Sequence, residues 1–461
     1  MKRRGLLQAL GAGTALAACS REPDMRAPVD YRVGGRVPWI NWAGNQSCWP
    51  SERIAPQAET ELVERLRAAK GVVRAVGAGH SFTAVVPTDD TLIATDLLAG
   101  LASVDSNTLQ AEVWAGTRLH AMGDLLEPAG QALPNMPDMN YLALGGAMAN
   151  AAHATGAGFG SMPSYVAGIT LATPSGELIS CDVRRNPELF QAARVSLGVL
   201  GIVTRMRLQN QAPFRLTETD RIEKTEDVLA DLANRKARHR HFEFLPLPYS
   251  SYSITVSTDV AVAGDADLGE DDPQAAMSLR KVFEALSWIP GGRALYDRVL
   301  TTVFGSQATT VRTGRSYEVF PHVRIVRFRE MEYSIPADAA VACVREVLQA
   351  IRTRNLPVCM PLEVRFIRAD GAWMSMFEGR DSCSISVHQY ADLDHRAYFG
   401  EIEPIFWKYE GRPHWGKLHT LDAPRLAKLY ERHWRDFQEI RASVDPQGRM
   451  LNPYLKSVLG A

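Results

Sequence analysis

Two short polar patterns in the second half of the chain combine residue types that could transfer protons and hold charge. Glu363 and Arg365 are separated by one apolar residue, and His388 ends a run in which Ser384 and Ser386 also alternate with apolar residues. On a β-strand, residues i and i+2 face the same side, so each pattern predicts one polar face. An arginine could hold an oxygen that becomes negative, and a histidine could accept a proton near neutral pH. The alternatives are a surface ion pair and the solvated face of an ordinary sheet.

Glycine-rich segments in the first half could bind a phosphate through the backbone. The run that follows the predicted strand 72–76 is Gly77-Ala78-Gly79-His80-Ser81. Two glycines after a strand let backbone N–H groups approach an anion such as a pyrophosphate, although a plain glycine turn with an exposed histidine is the alternative. The run lacks the third glycine and the following helix of the Rossmann fingerprint, which argues against an NAD-binding domain of that type. Further glycine-rich segments occupy 145–158 and 195–204.

Strands and helices of ordinary length must position these groups. Apolar residues recur at helical spacing in 59–70, and a second amphipathic helix is expected after Pro336. Alternating or wholly apolar runs predict strands at 72–76, 91–94, 111–115, 168–172, 362–366 and 383–389. Glycine becomes less frequent after residue 215, where longer amphipathic runs begin. Strands mixed with helices in both halves predict an α+β fold.

The order of these segments resembles the FAD-binding domain of the vanillyl-alcohol oxidase type. Within that group the chain is similar to the aldonolactone oxidase and alditol oxidase branch, which includes the D-arabinono-1,4-lactone oxidases. The run Arg-Pro-His-Trp-Gly-Lys at 412–417 resembles a hallmark of this branch, and 445–455 resembles its C-terminal signature. Two stretches depart from the family pattern: His-Ala-Thr-Gly at 153–156 replaces His-Gly-Thr/Ser-Gly, and Asn-Met-Pro-Asp at 135–138 replaces Asn-Leu-Gly-Asp.

The resemblance implies a cofactor, FAD, that is bonded covalently to His80. The other binding residues would come from the three glycine-rich segments and from the 412–417 run. The residues implied to bind the cofactor are Gly77, Ala78, Gly79, His80, Ser81, His153, Thr155, Gly156, Gly198, Gly201, Ile202 and His414. No metal site is expected, because no Cys/His cluster has the spacing of a zinc site.

The resemblance also implies a reaction, the oxidation of a CH–OH group in a sugar-derived aldono-1,4-lactone or an alditol, with flavin N5 as hydride acceptor. His388 is the expected proton acceptor, Arg365 and Lys417 would hold the reacting oxygen, and Glu363 would orient Arg365 and bind neighbouring hydroxyls. Oxygen is the expected final electron acceptor, and 151–154 is the segment expected to set its access to the flavin. The alternatives are a dehydrogenase of the same substrates that passes electrons to a cytochrome or quinone, and a non-catalytic exported binding lipoprotein.

The N-terminal segment has the pattern of an export signal. Lys2, Arg3 and Arg4 precede a short apolar run that ends in Leu-Ala-Ala-Cys at 16–19. A basic head and a short apolar run are typical of a signal peptide. The Arg3-Arg4 pair resembles a twin-arginine signal, and the ending resembles a lipoprotein cleavage box; a buried N-terminal helix is the alternative. We therefore expect an exported protein, in the periplasm or anchored to a membrane by a lipid on Cys19.

Net charge and cysteine content exclude or restrict other classes of function. A net charge of −1 provides no strong field of one sign, so no nucleic-acid partner is expected. Most of the six cysteines are expected to be small core residues, and one disulfide is compatible with an oxidising compartment.

The expected organisation is an α+β fold with a two-part FAD-binding domain of the vanillyl-alcohol oxidase type and an α+β substrate cap domain. The C-terminal segment is expected to return to the FAD domain. The expected boundaries are an export signal at 1–19, a linker at 20–40, the FAD-binding domain at 41–214, the cap domain at 215–420 and the C-terminal segment at 421–461.

Overall fold

The structure is a computed structural model that describes residues 37–261, 266–269, 275–287, 289, 292–304, 309–322 and 326–461. The expected export signal with Cys19 and most of the expected linker lie outside these residues. Within them, no helix is both long enough and apolar enough to cross a membrane. All five cysteines in the described part are buried and free: Cys48, Cys181, Cys343, Cys359 and Cys383.

Eighteen strands are described. They are β1 (Trp39–Ile40), β2 (Ser47–Cys48), β3 (Glu52–Ile54), β4 (Val73–Val76), β5 (Thr91–Ala94), β6 (Leu101–Asp105), β7 (Gln110–Trp114), β8 (Val166–Ala172), β9 (Leu178–Cys181), β10 (Ile202–Gln209), β11 (Arg215–Lys224), β12 (His241–Pro246), β13 (Tyr252–Val260), β14 (Thr309–Arg315), β15 (Phe328–Pro336), β16 (Glu363–Ile367), β17 (Ser382–Tyr390) and β18 (Arg412–Pro413).

The described residues also form fourteen α-helices. They are α1 (Glu59–Ala68), α2 (Met122–Leu126), α3 (Leu144–Ala149), α4 (Pro187–Arg194), α5 (Thr225–Ala230), α6 (Leu232–Arg238), α7 (Ala275–Ser287), α8 (Gly292–Phe304), α9 (Ser316–Val319), α10 (Ala340–Thr353), α11 (Arg396–Lys408), α12 (Ala423–Leu429), α13 (Glu431–Val444) and α14 (Pro453–Leu459).

The first half contains two larger sheets. Strands β3, β5 and β4 form a parallel sheet, and β6, β7, β10, β8 and β9 form a five-stranded antiparallel sheet in that order. The expected helix in 59–70 is α1, which buries Leu62 and Leu66 in a core shared with β4, β5, β8 and β10. Strand β4 ends at Val76, so the parallel sheet positions the glycine loop that follows it.

The second half is organised around one eight-stranded sheet with the order β14-β11-β13-β12-β16-β17-β15-β18. In the antiparallel register, Arg365 of β16 lies opposite Ser384 of β17, and Glu330 of β15 lies opposite His388 of β17. Directly opposed residues face the same side of a sheet, so these side chains share one face. Every residue of β16 and β17 is buried, so neither a surface ion pair nor a solvated sheet face describes them.

The C-terminal segment contacts the first half directly. The N–H of Val73 donates to the carbonyl of Arg449 at 2.8 Å. The side-chain amide of Asn452 donates to the carbonyls of Ala84 and Pro87 at 2.7 and 2.9 Å. The end of the chain therefore supports β4 and the loop that follows it.

Candidate active site

A cleft separates the glycine-rich loops of the first half from the polar face of the eight-stranded sheet. Its cavity volume is about 220 Å³. The expected site residues that line it are Gly77, Ala78, Gly79, His80, Ser81, His153, Gly198, Gly201, Ile202, Glu363, Arg365, His388, His414 and Lys417. The fold thus brings together residues that are more than 300 positions apart in the sequence.

Thr155 and Gly156, which were expected to bind the cofactor, are not among the residues that line this cleft. The hydroxyl of Thr155 instead donates to the carbonyl of Phe242 at 2.6 Å, and the N–H of Gly156 donates to the carbonyl of Phe366 at 2.8 Å. In this structure the pair connects the first half to strands β12 and β16. The amide of Asn135 also donates to the carbonyl of Thr155 at 3.1 Å, so the two stretches that depart from the family pattern contact each other.

The loop Gly77–Ser81 presents a run of backbone donors to the cleft. Among the described residues, none accepts a hydrogen bond from the five N–H groups of this loop. Gly79 has φ +68°, and a Cβ on Gly77 would lie 2.7 Å from the Cβ of Ala143, so glycine suits both positions. Consecutive N–H groups of this kind form an anion nest, and the loop therefore fits the pyrophosphate of FAD.

A short N-terminal segment holds this loop in place. The amide of Asn41 donates to the carbonyl of Ser81 at 2.9 Å, and the N–H of Trp42 donates to the carbonyl of Gly79 at 2.8 Å. The Trp42 ring stacks on the His80 ring with 5.3 Å between centroids. Across the cleft, the N–H of Phe82 donates to the carbonyl of Gly416 at 2.7 Å. The His80 loop and the 412–417 run are therefore joined by a backbone hydrogen bond.

The His80 imidazole is neutral at physiological pH. Burial lowers its pKa to about 4, and the positive charges of Lys417 and Arg118 act in the same direction. In a neutral imidazole, one ring nitrogen has a free lone pair. This nitrogen is the atom that can form a bond to an electrophilic carbon.

The buried guanidinium of Arg74 connects the loops that surround the cofactor side of the cleft. Its three nitrogens donate to the carbonyls of Val85, Leu197, Gly198 and Met450 at 2.8, 2.6, 2.9 and 2.5 Å. Burial lowers its pKa to about 9, and the charge of Asp445 opposes this shift. One side chain on β4 thus links the glycine-rich segment 195–204 and the C-terminal segment to the strand that precedes the His80 loop.

Arg365 lies among three carboxylates on the sheet face. Its guanidinium contacts Glu363 at 2.6 Å, Glu243 at 2.8 Å and Asp138 at 3.3 Å. Burial raises the pKa of Glu243, and the negative charges of Glu363 and Asp138 add to this effect against the attraction of Arg365. One guanidinium and three carboxylates therefore give this group both hydrogen-bond donors and acceptors for hydroxyls.

Lys417 and His388 both lie next to Glu330, a carboxylate that the sequence analysis did not identify. Glu330 pairs with the Lys417 ammonium through one oxygen, and its other oxygen lies 3.6 Å from Nε2 of His388. Burial opposes ionisation of Glu330, but Lys417 and His388 hold its pKa well below the usual range. Each expected cation of the substrate site is therefore paired with at least one buried carboxylate.

Glu332 was also missed, and it organises a second polar group beside the first. Its oxygens accept from Ser384 at 2.6 Å and Ser386 at 3.1 Å, and His153 Nε2 lies 3.0 Å away. Burial opposes its ionisation, but His153 and His414 hold its pKa well below the usual range. Burial lowers the pKa of His414 to about 4, so this ring is neutral, and its Nδ1 accepts from the N–H of Gly416 at 3.0 Å.

A period-two pattern places both missed carboxylates on one face of a strand, but the pattern alone does not show that this face is buried. Glu330, Glu332 and Ser334 alternate with apolar or aromatic residues in β15, as Glu363 and Arg365 do in β16. Two groups of three side chains lie close enough together to bind a metal ion. They are His153-Glu332-His414 and Glu330-Glu363-His388. Both carboxylates have partners among the side chains of the protein: the Lys417 ammonium pairs with Glu330, and the hydroxyls of Ser384 and Ser386 donate to Glu332.

Comparisons with known proteins identify the family of the chain. A family model described as D-arabinono-1,4-lactone oxidase matches residues 206–458, and one described as FAD binding domain matches residues 50–182. The chain is 35% identical over 432 residues to L-gulono-1,4-lactone dehydrogenase of Mycobacterium tuberculosis, covering 92% of this chain and 99% of that protein. It is 29% identical to L-gulonolactone oxidase of Bos taurus (92% and 98% covered) and 26% identical to alditol oxidase of a Streptomyces species (91% and 98% covered).

Solved structures support the fold. The crystal structure of cholesterol oxidase from B. sterolicum superposes with a TM-score of 0.73 at 15% identity, covering 92% of this chain and 96% of that chain. A solvent-stable cholesterol oxidase gives a TM-score of 0.76 at 18% identity, covering 92% and 98%. The expected α+β fold with an FAD-binding domain of the vanillyl-alcohol oxidase type is thereby confirmed. Because the family model covers more than half of the chain and the 35% identical relative is matched over nearly its whole length, the protein belongs to the D-arabinono-1,4-lactone oxidase family of FAD-dependent oxidoreductases that act on CH–OH groups.

Proposed function

We propose that the protein oxidises a CH–OH group of a sugar-derived aldono-1,4-lactone on FAD attached covalently to His80. The observation that carries this proposal is the position of His388 and Arg365 on one buried sheet face, with Lys417 paired to Glu330 of that face, in the cleft that the His80 loop also lines. FAD supplies the hydride acceptor at flavin N5. A free alditol is the alternative substrate, because it presents the same chain of hydroxyl groups.

His388 accepts the hydroxyl proton in this proposal. Its Nδ1 lies 3.1 Å from the carbonyl of Pro361, which can only accept a hydrogen bond. Nδ1 therefore carries the ring hydrogen, and Nε2 keeps its lone pair when the ring is neutral. Nε2 is the atom that faces the polar group on the sheet, so the acceptor atom points to where a substrate hydroxyl would bind.

Arg365, Lys417 and Glu363 bind and orient the substrate oxygens. The recorded contacts of Arg365 use Nε and Nη2, and no described residue accepts from Nη1, which is thus available to an oxygen of the lactone. Lys417 points into the same cleft and can donate to a second oxygen. Glu363 fixes the guanidinium of Arg365 and can accept from a neighbouring hydroxyl.

The covalent bond to His80 rests on the neutral imidazole beside the loop that fits the pyrophosphate. We propose that this bond raises the redox potential of the flavin and keeps the cofactor on the protein. The purified protein is precipitated with acid, and the pellet is examined for yellow colour and in-gel flavin fluorescence. Colour in the pellet that is lost in His80→Ala but kept in His120→Ala, an exposed histidine, supports the bond. Colour released to the supernatant by the unchanged protein would contradict it.

The final electron acceptor in this proposal is oxygen. A dehydrogenase that passes electrons to a cytochrome or quinone is a second candidate, because the 35% identical relative is named a dehydrogenase. Anaerobic bleaching of the flavin by aldonolactones tests the oxidation step for both. Rapid recolouring by oxygen with hydrogen peroxide production supports the oxidase. Slow recolouring by oxygen with fast reduction of cytochrome c or a quinone analogue supports the dehydrogenase.

The place of action in this proposal is outside the cytoplasm, in the periplasm or on a membrane through a lipid on Cys19. The support is the N-terminal pattern of a twin-arginine-like pair, a short apolar run and a cleavage-box-like ending. Labelling of the full chain with a fatty acid analogue in a bacterial host tests it. Label and membrane association that disappear in Cys19→Ser support the anchor, and an unlabelled cytoplasmic product would refute it.

A further inference from the structure

Glu330 lies at the centre of the charged side chains on the sheet face, and the function proposed above gives it no role. Its side chain is 4% exposed, and one of its oxygens pairs with the Lys417 ammonium. The other oxygen lies 3.6 Å from Nε2 of His388. One buried carboxylate therefore contacts both the proton acceptor and a cation of the proposed substrate site.

The backbone determines this arrangement. Glu330 on β15 and His388 on β17 are direct partners in the antiparallel register, so their side chains leave the sheet on the same side. Lys417 follows β18, and the N–H of the next residue, Leu418, donates to the carbonyl of Glu330 at 2.9 Å. The contact is therefore set by strand pairing and by a backbone hydrogen bond, in addition to the charges.

The charged groups that face His388 come from three elements. Glu330 comes from β15, Glu363 from β16 and Lys417 from the segment after β18. Ligating atoms of Glu330, Glu363 and His388 all lie within 4.8 Å of one another. The ring of Phe328 covers the imidazole edge-on, with 5.3 Å between centroids. Two carboxylates and one ammonium therefore surround the imidazole, and burial strengthens the interactions between charges at this place.

We propose that Glu330 is a positioning residue that increases the proton affinity of His388 and holds Lys417 at the substrate. This inference rests on the proposed function. In the reaction, the substrate O–H bond breaks, its proton forms the N–H bond at Nε2, and the C–H electron pair leaves as hydride to the flavin, so that a carbonyl remains. The new imidazolium then faces a carboxylate that is already in place, and no counter-ion has to move during the step.

Glu330→Gln tests the proposal because it keeps the size of the side chain and removes its charge. The measurement is the rate of flavin reduction by a saturating aldonolactone, followed anaerobically in the holoenzyme as a function of pH. We expect the ascending limb of this profile to move to lower pH by about one unit, because the lost carboxylate and the unpaired Lys417 both disfavour the imidazolium. The plateau rate is expected to fall about tenfold, since the acceptor is a weaker base. Glu330→Asp keeps the charge and should leave the limb close to its original position.

Glu332→Gln is the matched control. Glu332 is equally buried on the same face of β15, but its partners are His153, Ser384 and Ser386. A general effect of losing a buried carboxylate would move the limb equally in both variants. We expect the shift in Glu332→Gln to be less than half of that in Glu330→Gln.

A second measurement separates this inference from the proposed function. In histidine-labelled holoenzyme, the NMR signal of His388 is assigned with His388→Asn and titrated without substrate. We expect its midpoint at lower pH in Glu330→Gln than in the unchanged protein. If no lactone or polyol reduces the flavin, the proposed function fails, and the NMR titration still tests the pairing. A midpoint or a kinetic limb that does not move in Glu330→Gln overturns the role of Glu330.

Discussion

The two sides of the cleft present different kinds of groups to a ligand. On the cofactor side, the contacting groups are mainly backbone N–H donors of glycine-rich loops, supported from behind by one guanidinium, Arg74. On the sheet side, the contacting groups are charged side chains on β15, β16 and β17, with Lys417 added from the segment after β18. The cofactor side therefore depends on backbone conformation, and the sheet side depends on the chemistry of individual side chains.

This difference predicts different consequences of substitution. A backbone site is damaged by any side chain that changes the loop, and the damage appears first as lost flavin or lost stability. A side-chain site on a sheet is damaged when a functional group is removed, even if the fold and the flavin are kept. Substitutions that remove a functional group from the sheet side should therefore lower turnover and leave the flavin content unchanged.

The largest effect is expected from Arg365→Met. Methionine fills similar space but removes the charge and the donors that face Glu363, Glu243 and Asp138. We expect kcat to fall by about 10² to 10³, as is typical when a group that stabilises the developing charge is lost. The flavin-to-protein ratio, measured by absorbance, should stay within about 20% of the original, because Arg365 lies across the cleft from the His80 loop.

Arg345→Met is the control for Arg365→Met. Arg345 also pairs with a glutamate, Glu226, at 2.6 Å, but both side chains are exposed on the surface. Exposed pairs contribute little, so turnover and flavin content should both stay near those of the unchanged protein. Loss of flavin in parallel with turnover in Arg365→Met would show that the sheet side also holds the cofactor, and the comparison would fail.

Gly201→Ala is expected to have an intermediate effect, on stability and flavin content and not on turnover. Gly201 has φ +133°, and an added Cβ would lie 2.3 Å from the carbonyl oxygen of Ala172. The strain and the clash together should destabilise the protein by about 3 kcal/mol. We expect a lower melting temperature and a lower flavin-to-protein ratio, while kcat per bound flavin changes less than twofold.

Gly130→Ala separates backbone strain from damage to the cofactor side. Gly130 also has a positive φ, +70°, but an added Cβ would meet no atom within 4 Å, and the residue does not line the cleft. Gly130→Ala should lower the free energy of unfolding by only about 1 kcal/mol and leave the flavin content unchanged. If Gly201→Ala lowered kcat per bound flavin as strongly as Arg365→Met, the cofactor side would also contribute to the chemistry directly.

The sequence was most informative where a local pattern determines the structure. Period-two alternation correctly placed Glu363 and Arg365 on one face of a strand, and it placed Ser384, Ser386 and His388 on one face of another. The glycine loop after β4 was also found, since glycine is required there by a positive φ and a close backbone approach. The apolar spacing predicted α1 close to its observed limits, and it predicted a helix after Pro336, where α10 begins at Ala340.

Features that depend on distant segments were not predictable in this way. Arg74 looks like an exposed residue of a short strand, because its four carbonyl partners come from loops and from the C-terminal segment. Glu330 and Glu332 look like solvent-facing charges until β15 pairs with β17 inside the molecule. Burial of a charged residue depends on what covers it, and that is a property of the assembled fold.

The smallest effect is expected at His322, which tests whether charges of the second half matter only where they line the cleft. His322 lies 3.1 Å from Glu218, outside the residues that line the cleft, and its side chain is 32% exposed. Burial opposes its protonation, but the hydrogen bond and charge of Glu218, with a contribution from Asp138, raise its pKa to about 9. The stabilisation by protonated His322 is therefore complete below its ordinary pKa of about 6.5 and disappears as the pH rises through about 9.

His322→Gln should consequently lower the free energy of unfolding at pH 6 by less than about 1 kcal/mol, because the pair is partly exposed to solvent. The difference from the unchanged protein should vanish at pH 10, where both side chains are uncharged. Urea unfolding at the two pH values measures this effect, and kcat at pH 6 should stay within about twofold. A fall in kcat comparable with that of Arg365→Met would mean that charge is felt across the whole sheet, and the substrate side would then extend beyond the residues that contact the cleft.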